Sequence, residues 1–261
     1  MNVIEKEMIN VLRDLKANFG VFEIKAEFEA EGSRMEELMR LKDVASTVGL
    51  PIILKIGGAE AVTDIYNGII LGASGLVAPM VETEYAVFKY LGVIKSLIQP
   101  DNRADIEFAI NIETRTSFQN IDKILALKDI NYLHSITFGR SDFAGSLGLK
   151  KQDVDSKDLM DFVEKVGIKA KQNDLKFAVG GNITTNSIEP LKSLFYKNLL
   201  DKYETRKVVF HASSLENTPA EGIKLALEFE LLWLKSKQRF YSKIKEEDKH
   251  RILDLEKRLN K

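Results

Sequence analysis

Cysteine is absent from the sequence of 261 residues, which excludes disulfide bonds, thiolate metal sites and cysteine nucleophiles. An excess of one charge is also lacking, because 38 Lys and Arg residues are balanced by 39 Asp and Glu residues. This balance gives no basic surface for nucleic acid or for an anionic membrane. No apolar run approaches the roughly 20 residues of a membrane-spanning helix. Residues 1–19 read as an amphipathic helix rather than a signal peptide, so we expect a cytoplasmic protein.

Seven short β-rich segments alternate with helical patterns along the chain. Strands are predicted at 20–28, 51–57, 74–80, 107–113, 134–139, 175–181 and 207–212. Helices are predicted near 34–48, 59–72, 83–98, 117–128, 156–172, 186–200 and 218–245. This alternation indicates βα units, a parallel sheet and an α/β fold, and about eight units close a TIM-type (β/α)8 barrel. The eighth strand is therefore either absent or modified.

The chain has no Pro/Gly/Ser-rich linker, so we predict one barrel with its N-terminal helix over residues 1–217. Residues 218–261 form a long, charged segment with few helix breakers, which predicts a C-terminal helical extension. Two interpretations remain open for this extension. It is either a solvated helix on the barrel or a helix that packs on a neighbouring subunit of a homo-oligomer.

Charged side chains fall on the inward parity of several predicted strands. Successive side chains of a barrel strand point alternately to the helices and to the interior. If the apolar residues of a strand, such as Phe22 and Ile24, face the helices, the residues that alternate with them face the barrel interior. The inward set contains Glu23, Lys25, Glu27, Glu29, Lys55, Asn111, Glu113, Thr137, Asn182 and His211. Because an unpaired buried charge costs several kcal/mol, we expect Glu23 to pair with Lys25 or Lys55.

Two carboxylates end neighbouring strands. Glu113 closes the segment EFAINIE, and Asp142 follows the next strand in ITFGRSDFAGSLG. Barrel active sites lie at the carboxyl ends of the strands, and Mg²⁺ commonly binds through one or two carboxylates plus water and substrate oxygens. Gly139 and Gly145 would let backbone amides approach an anionic ligand. The sequence therefore predicts a magnesium site at this rim, and Mn²⁺ would also suit it.

Three segments carry a resemblance to a known family. GASGLVAPMVETEYAV (72–87), FAINIETRTSFQNIDKIL (108–125) and ITFGRSDFAGSLG (136–148) together resemble the HpcH/HpaI aldolase and citrate lyase β-subunit family. The resemblance implies a modified TIM barrel that cleaves or forms a carbon–carbon bond next to a metal-stabilised 2-oxo-acid enolate. It also implies Glu113 and Asp142 as metal ligands, and the amides of Gly139, Arg140 and Ser141 as a cradle for the substrate carboxylate. The implied partner is a small anionic 2-oxo acid or acyl compound, and the implied assembly is a trimer or hexamer.

The sequence departs from the family pattern at two places. Lys55 stands where the family has a substrate-binding arginine, so the charge is kept but the bidentate fork is lost. The family's catalytic histidine on an early strand has no counterpart. Glu27, Glu29 and His211 are therefore the candidate general acids or bases, although a hydrogen-bonded interior residue is the plainer interpretation of His211.

Two other functions remain compatible with the sequence. Lys25 or Lys55 could form a Schiff base in a metal-independent phosphosugar aldolase or isomerase, with phosphate bound near the glycines of FAVGGNIT (177–184). Alternatively, a barrel without the family's histidine and arginine could bind a metabolite without turnover.

Overall fold

The computed structural model describes residues 1–259 and shows a closed barrel of eight strands. The strands are β1 (Val21–Glu27), β2 (Ile52–Lys55), β3 (Gly75–Ala78), β4 (Glu107–Ile112), β5 (Ser135–Gly139), β6 (Lys176–Gly180), β7 (Lys202–Glu204) and β8 (Val208–His211). The predicted TIM-type α/β barrel is confirmed.

Eleven α-helices of the described chain connect and surround these strands. They are α1 (Val3–Asn18), α2 (Met35–Val48), α3 (Val62–Leu71), α4 (Glu84–Leu97), α5 (Pro100–Arg103), α6 (Arg115–Gln119), α7 (Ile121–Leu125), α8 (Arg140–Ser146), α9 (Lys157–Gln172), α10 (Ile188–Tyr196) and α11 (Pro219–Leu259). Within residues 1–259, no helix is long and apolar enough to cross a membrane.

The last two strands make the modified unit. β1 to β7 pair in parallel, whereas β8 runs antiparallel to both β7 and β1. Only three residues separate β7 from β8. A parallel connection needs a crossover of a dozen or more residues, so this short link can only form a hairpin. The segment predicted at 207–212 is therefore the eighth strand, and β7 is the strand that the sequence pattern did not predict.

A second correction concerns the start of β1. The register between β1 and β8 shifts between Val21 and Glu23, as in a β-bulge. Phe22 consequently packs against the small inner cluster of Ile53, Val77, Ala109 and Val209 instead of facing the helices. From Ile24 onward the predicted parity is confirmed, because Ile24 and Ala26 lie in the main core between strands and helices.

The two terminal helices cover the same side of the barrel. Asn2 caps α1 by accepting a hydrogen bond from the amide of Glu5 at 3.0 Å, and Met8, Leu12 and Leu15 are fully buried. Burial of such a side chain contributes about 1.5–3 kcal/mol. α1 packs on α2 and on α11, whose Phe229 is also fully buried.

The C-terminal helix extends well beyond this contact. α11 is one helix of 41 residues, and residues 242–259 are exposed throughout. The segment predicted at 117–128 forms two short helices, α6 and α7, instead of one. Of the predicted extension, residues 260–261 lie outside the described residues. The boundary between residues 217 and 218 stays a prediction.

Candidate active site

The carboxyl ends of β1 to β7 meet at one end of the barrel, called the rim here. Because β8 reverses direction, the β7–β8 hairpin of Thr205, Arg206 and Lys207 also lies at the rim. The amino end of the barrel holds the beginnings of β1 and β7 together with the end of β8. This topology decides which of the predicted site residues can meet.

Glu113 lies immediately after β4 and is the most buried carboxylate at the rim, at 1% exposure. Its Oε1 accepts a hydrogen bond from the amide of Met80 at 2.9 Å, and its Oε2 accepts one from Asn111 Nδ2 at 3.0 Å. Burial, with a further contribution from the charge of Asp142, raises the pKa of Glu113 above its ordinary value. Lys55 and the two hydrogen bonds oppose this rise only in part.

Met80 was not predicted as a site residue. It adopts a left-handed backbone with φ of +50°, a conformation that few residues other than glycine adopt. In this conformation the Met80 amide donates a hydrogen bond to Glu113, so the strained backbone helps to position the carboxylate. The sequence holds no local signal for it, because the contact joins β3 to β4 across 33 residues.

Lys55, at the end of β2, lies between two carboxylates. Its Nζ is 2.9 Å from Glu29 Oε2 and 3.9 Å from Glu113 Oε2. The contact with Glu29 is an ion pair between side chains that are 7% and 25% exposed. Burial alone would lower the pKa of Lys55, but the charges of Glu113 and Glu29 outweigh it and raise the pKa. Lys55 is therefore a protonated cation at neutral pH.

Asp142 is the third residue of α8 and is exposed at the rim. It is close enough to Glu113 for its charge to contribute to the raised pKa of that residue. Asn111 adds a neutral oxygen, because its Oδ1 is buried without a hydrogen-bond partner. The structure thus brings two carboxylates and one unpartnered carbonyl oxygen to the same part of the rim.

Two glycines keep this region open. A Cβ on Gly139 would lie 2.5 Å from Glu113 Oε2, and a Cβ on Gly181 would lie 2.8 Å from the amide nitrogen of Arg140 and 2.5 Å from that of Ser141. Contacts this short do not occur between real side chains. Glycine at both positions therefore leaves the Glu113 carboxylate and the two amides unobstructed.

The side chain of Arg140 does not face substrate. Its guanidinium is fully buried and donates to the carbonyls of Gly180 and Gly181, to Ser187 and to Asp155. The backbone amides of Arg140 and Ser141, in the first turn of α8, lie beside Gly181, and their predicted role in binding a substrate carboxylate stays a prediction.

Of the three candidate acid–base residues, Glu29 is the one that forms an ion pair with Lys55. Glu27 is at 5% exposure, and it pairs with Arg206 of the hairpin at 3.0 Å. The neighbouring Lys207 is fully buried and forms an ion pair with Glu31. Neither hairpin cation was predicted from the sequence, because β7 was not predicted.

His211 is not at the rim, contrary to the prediction that it joins the inward set there. It ends the antiparallel β8, and it pairs with Lys202 at the amino end of the barrel. Its ring is exposed and stacks on Phe22 at 3.9 Å. The reversal of β8 explains the error.

The remaining residues that were predicted to face the barrel interior differ in burial and in their partners. Thr137 is buried, whereas Asn182 is exposed and donates to the carbonyl of Lys151. Lys25 pairs with Glu204 of β7. The predicted partners of Glu23 are wrong, because the nearest cation is Lys202 at 3.8 Å.

Comparisons with known proteins agree with this architecture. A family model described as HpcH/HpaI aldolase/citrate lyase matches residues 36–181. No curated protein matches the chain by sequence.

Solved structures of the same fold are similar over most of their length. Citrate synthase SbnG is 16% identical with a TM-score of 0.62, and the alignment covers 91% of each chain. The HpcH/HpaI aldolase from Desulfitobacterium hafniense DCB-2 is 15% identical with a TM-score of 0.59, covering 83% of this chain and 87% of that one. An HpcH/HpaI aldolase/citrate lyase family protein from Burkholderia cenocepacia J2315 is 14% identical with a TM-score of 0.60, covering 86% and 89%.

The family match includes β2 to β6, and with them Lys55, Glu113 and Asp142. It extends over more than half of the chain. This protein therefore belongs to the HpcH/HpaI aldolase/citrate lyase family of carbon–carbon lyases.

Proposed function

We propose that the protein is a magnesium-dependent lyase that cleaves or forms a carbon–carbon bond next to the carbonyl of a 2-oxo acid. The observation that carries this proposal is the buried carboxylate of Glu113 beside Asp142 at the carboxyl ends of the strands. The family is in general dependent on a divalent metal, and these two residues are the ligands that the proposal assigns.

The residues present fit a hard divalent cation. Carboxylate and carbonyl oxygens are the ligands that Mg²⁺ prefers, and one or two carboxylates suffice when water and substrate complete the octahedron. Glu113 and Asp142 supply the carboxylates, and the unpartnered Oδ1 of Asn111 can accept a hydrogen bond from a bound water. Lys55 forms no direct hydrogen bond with Glu113, since its Nζ is 3.9 Å from Glu113 Oε2 and nearer to Glu29. Within residues 1–259, no group of three or more His, Cys, Asp or Glu side chains is arranged to hold a metal ion, so the proposed site depends on substrate and water for its other ligands.

A bound Mg²⁺ would act as a Lewis acid that stabilises the negative charge developing on the substrate's carbonyl oxygen. The protein's own groups hold the substrate. The ammonium of Lys55 attracts and orients the substrate carboxylate, and the amides of Arg140 and Ser141, in the first turn of α8, donate hydrogen bonds to it.

Glu29 is the proposed general acid–base residue. Its side chain is a quarter exposed, so it can reach substrate and exchange protons with solvent. Its Oε2 lies 2.9 Å from Lys55 Nζ, which places the carboxylate beside the cation that would orient the substrate. Glu27 is excluded from this role in the proposal because Arg206 already engages it.

The raised pKa of Lys55 argues against the metal-independent alternative. A Schiff base requires a neutral amine at working pH, whereas Glu113 and Glu29 hold Lys55 in its protonated form. The other candidate, Lys25, is engaged by Glu204. Borohydride reduction in the presence of a keto substrate should therefore leave no covalent adduct on either lysine.

A panel of 2-oxo acids and their aldol adducts tests the proposal directly. We expect lyase or decarboxylase activity that EDTA removes and Mg²⁺ or Mn²⁺ restores. Glu113→Gln should abolish this activity, because a neutral amide is a poorer ligand. Glu107→Gln is the matched control, since Glu107 lies on the same strand at the opposite end of the barrel and pairs with Lys202 at 2.6 Å. Full activity in Glu113→Gln would refute the assignment.

Assembly into a homo-oligomer is part of the proposal. Leu227, Leu231 and Leu234 recur on one side of α11, and each is about half exposed. Beyond them, the helix projects from the barrel. A second copy of the chain would cover this surface, in a trimer or hexamer in the cytoplasm.

A further inference from the structure

Arg140 is the only arginine among residues 1–259 that is fully buried. A buried guanidinium is costly unless nearly all of its five donors are satisfied. Nε donates to the carbonyl of Gly180 at 3.2 Å, and Nη2 donates to the carbonyl of Gly181 at 2.9 Å. Nη1 donates to Asp155 at 2.5 Å, and Nη2 also reaches Ser187 Oγ at 3.2 Å.

These contacts join the two connections that follow β5 and β6 at the rim. Gly180 and Gly181 lie at the end of β6, and Ser187 lies in the short 3₁₀ turn after it. Asp155 ends the 3₁₀ segment between α8 and α9, and its second oxygen accepts a hydrogen bond from Ser187. Arg140 itself begins α8. One side chain therefore fixes the start of α8 against the loops that follow β6 and α8.

The position of Asp142 depends on this anchor. α8 has only seven residues, and Asp142 is its third. Phe143, fully buried against Phe138 at a ring separation of 4.7 Å, lies one turn after Arg140 on the same buried side of the helix. The buried guanidinium fixes the end of the helix at which Asp142 lies.

We propose that Arg140 is a positioning residue that sets the distance between the carboxylates of Asp142 and Glu113, and thereby the affinity for the divalent cation. This inference rests on the proposed function, because it assumes that these two carboxylates bind the ion. Arg140 touches neither the ion nor the substrate with its side chain. Its effect on affinity is of the kind that residues supporting metal ligands have, about 10–100-fold.

The test measures the dissociation constant for Mn²⁺ by electron paramagnetic resonance, together with the thermal unfolding temperature, in three variants. Arg140→Lys keeps the positive charge but cannot reproduce the planar arrangement of the five guanidinium donors. Asp155→Asn removes the charged partner and leaves the three neutral acceptors of Arg140 in place, so it is the milder change. Lys202→Gln is the control, because it removes another buried, ion-paired cation at the opposite end of the barrel.

We expect Arg140→Lys to weaken Mn²⁺ binding at least about tenfold and Asp155→Asn to weaken it by a smaller factor. Lys202→Gln should lower the unfolding temperature while Mn²⁺ binds as in the native protein. Native affinity in a folded Arg140→Lys or, if that variant does not fold, in Asp155→Asn would overturn the positioning role alone. If the unmodified protein binds no Mn²⁺, the proposed metal site fails, and the inference fails with it.

Discussion

Gly139→Ala is the substitution that tests the geometry of the rim most sharply. The added Cβ would lie 2.5 Å from Glu113 Oε2 and 2.8 Å from Glu113 Cβ. Because ordinary contacts begin near 3.4 Å, the carboxylate oxygen must retreat by about 0.9 Å. That movement disturbs the hydrogen bonds from Asn111 and from the amide of Met80, which are 3.0 and 2.9 Å long.

The expected cost has two parts. Overpacking at a buried position lowers the free energy of unfolding by about 1–3 kcal/mol. Displacement of a metal ligand by nearly 1 Å should weaken Mn²⁺ binding at least about tenfold, which corresponds to about 1.4 kcal/mol. Chemical denaturation measures the first part, and calorimetric titration with Mn²⁺ measures the second.

Gly145→Ala is the matched control. Gly145 lies in α8, six residues further along, and a Cβ there meets no atom within 4 Å. Alanine should stabilise the helix there by up to about 1 kcal/mol and leave Mn²⁺ affinity unchanged. If Gly139→Ala bound Mn²⁺ as tightly as Gly145→Ala, the reasoning about the carboxylate of Glu113 would be refuted.

Three further outcomes are expected. Burial raises the pKa of Glu113 above 4.5, so the contribution of Glu113 to stability is present at low pH and is lost as pH rises through the raised pKa. Mn²⁺ binding needs the ionised carboxylate, so the affinity for Mn²⁺ instead increases as pH rises. Mn²⁺ titrations at decreasing pH should therefore show affinity falling with a midpoint above pH 4.5, and a midpoint at or below that value would contradict the burial argument. Lys55→Gln should raise KM for a 2-oxo acid about tenfold or more, because a hydrogen bond to a charged group is lost. An unchanged KM in steady-state kinetics would show that Lys55 does not bind the substrate. Sedimentation velocity should show a trimer or hexamer, and a monomer at micromolar concentration would count against assembly through α11.

The barrel could be predicted because the periodicity of its apolar residues is local. Ile52, Leu54 and Ile56 alternate with Ile53 and Lys55, and all three lie in the core between strands and helices. The same alternation predicts that Lys55 faces the interior, where its ammonium meets Glu29 and Glu113. Order and spacing of such strands are sufficient for the fold class.

The closing unit could not be predicted, because β7 is only the three residues Lys202–Glu204. Two of these residues are charged, so they carry no apolar signal. Their side chains are buried only because Lys202 meets Glu107 and Glu204 meets Lys25, partners that lie far away in the sequence. Without β7, the direction of β8 and the place of His211 could not be derived.

In the candidate site, too, the strand ends could be predicted from the sequence but the loop conformations could not. The carboxylates of Glu113 and Asp142 follow strand ends, so the topology of a parallel barrel is enough to bring them to one rim. The direction of the Arg140 side chain and the strained amide of Met80 depend on loops whose conformation no local pattern specifies. The sequence therefore predicts which strands carry the site better than it predicts which atoms face it.

Anomalous diffraction from crystals soaked in MnCl₂ tests the central claim most directly. The proposal predicts a manganese peak between the carboxylates of Glu113 and Asp142, and no peak at that position in Glu113→Gln. A saturating soak that leaves this position empty, or that places manganese on other residues, would contradict it.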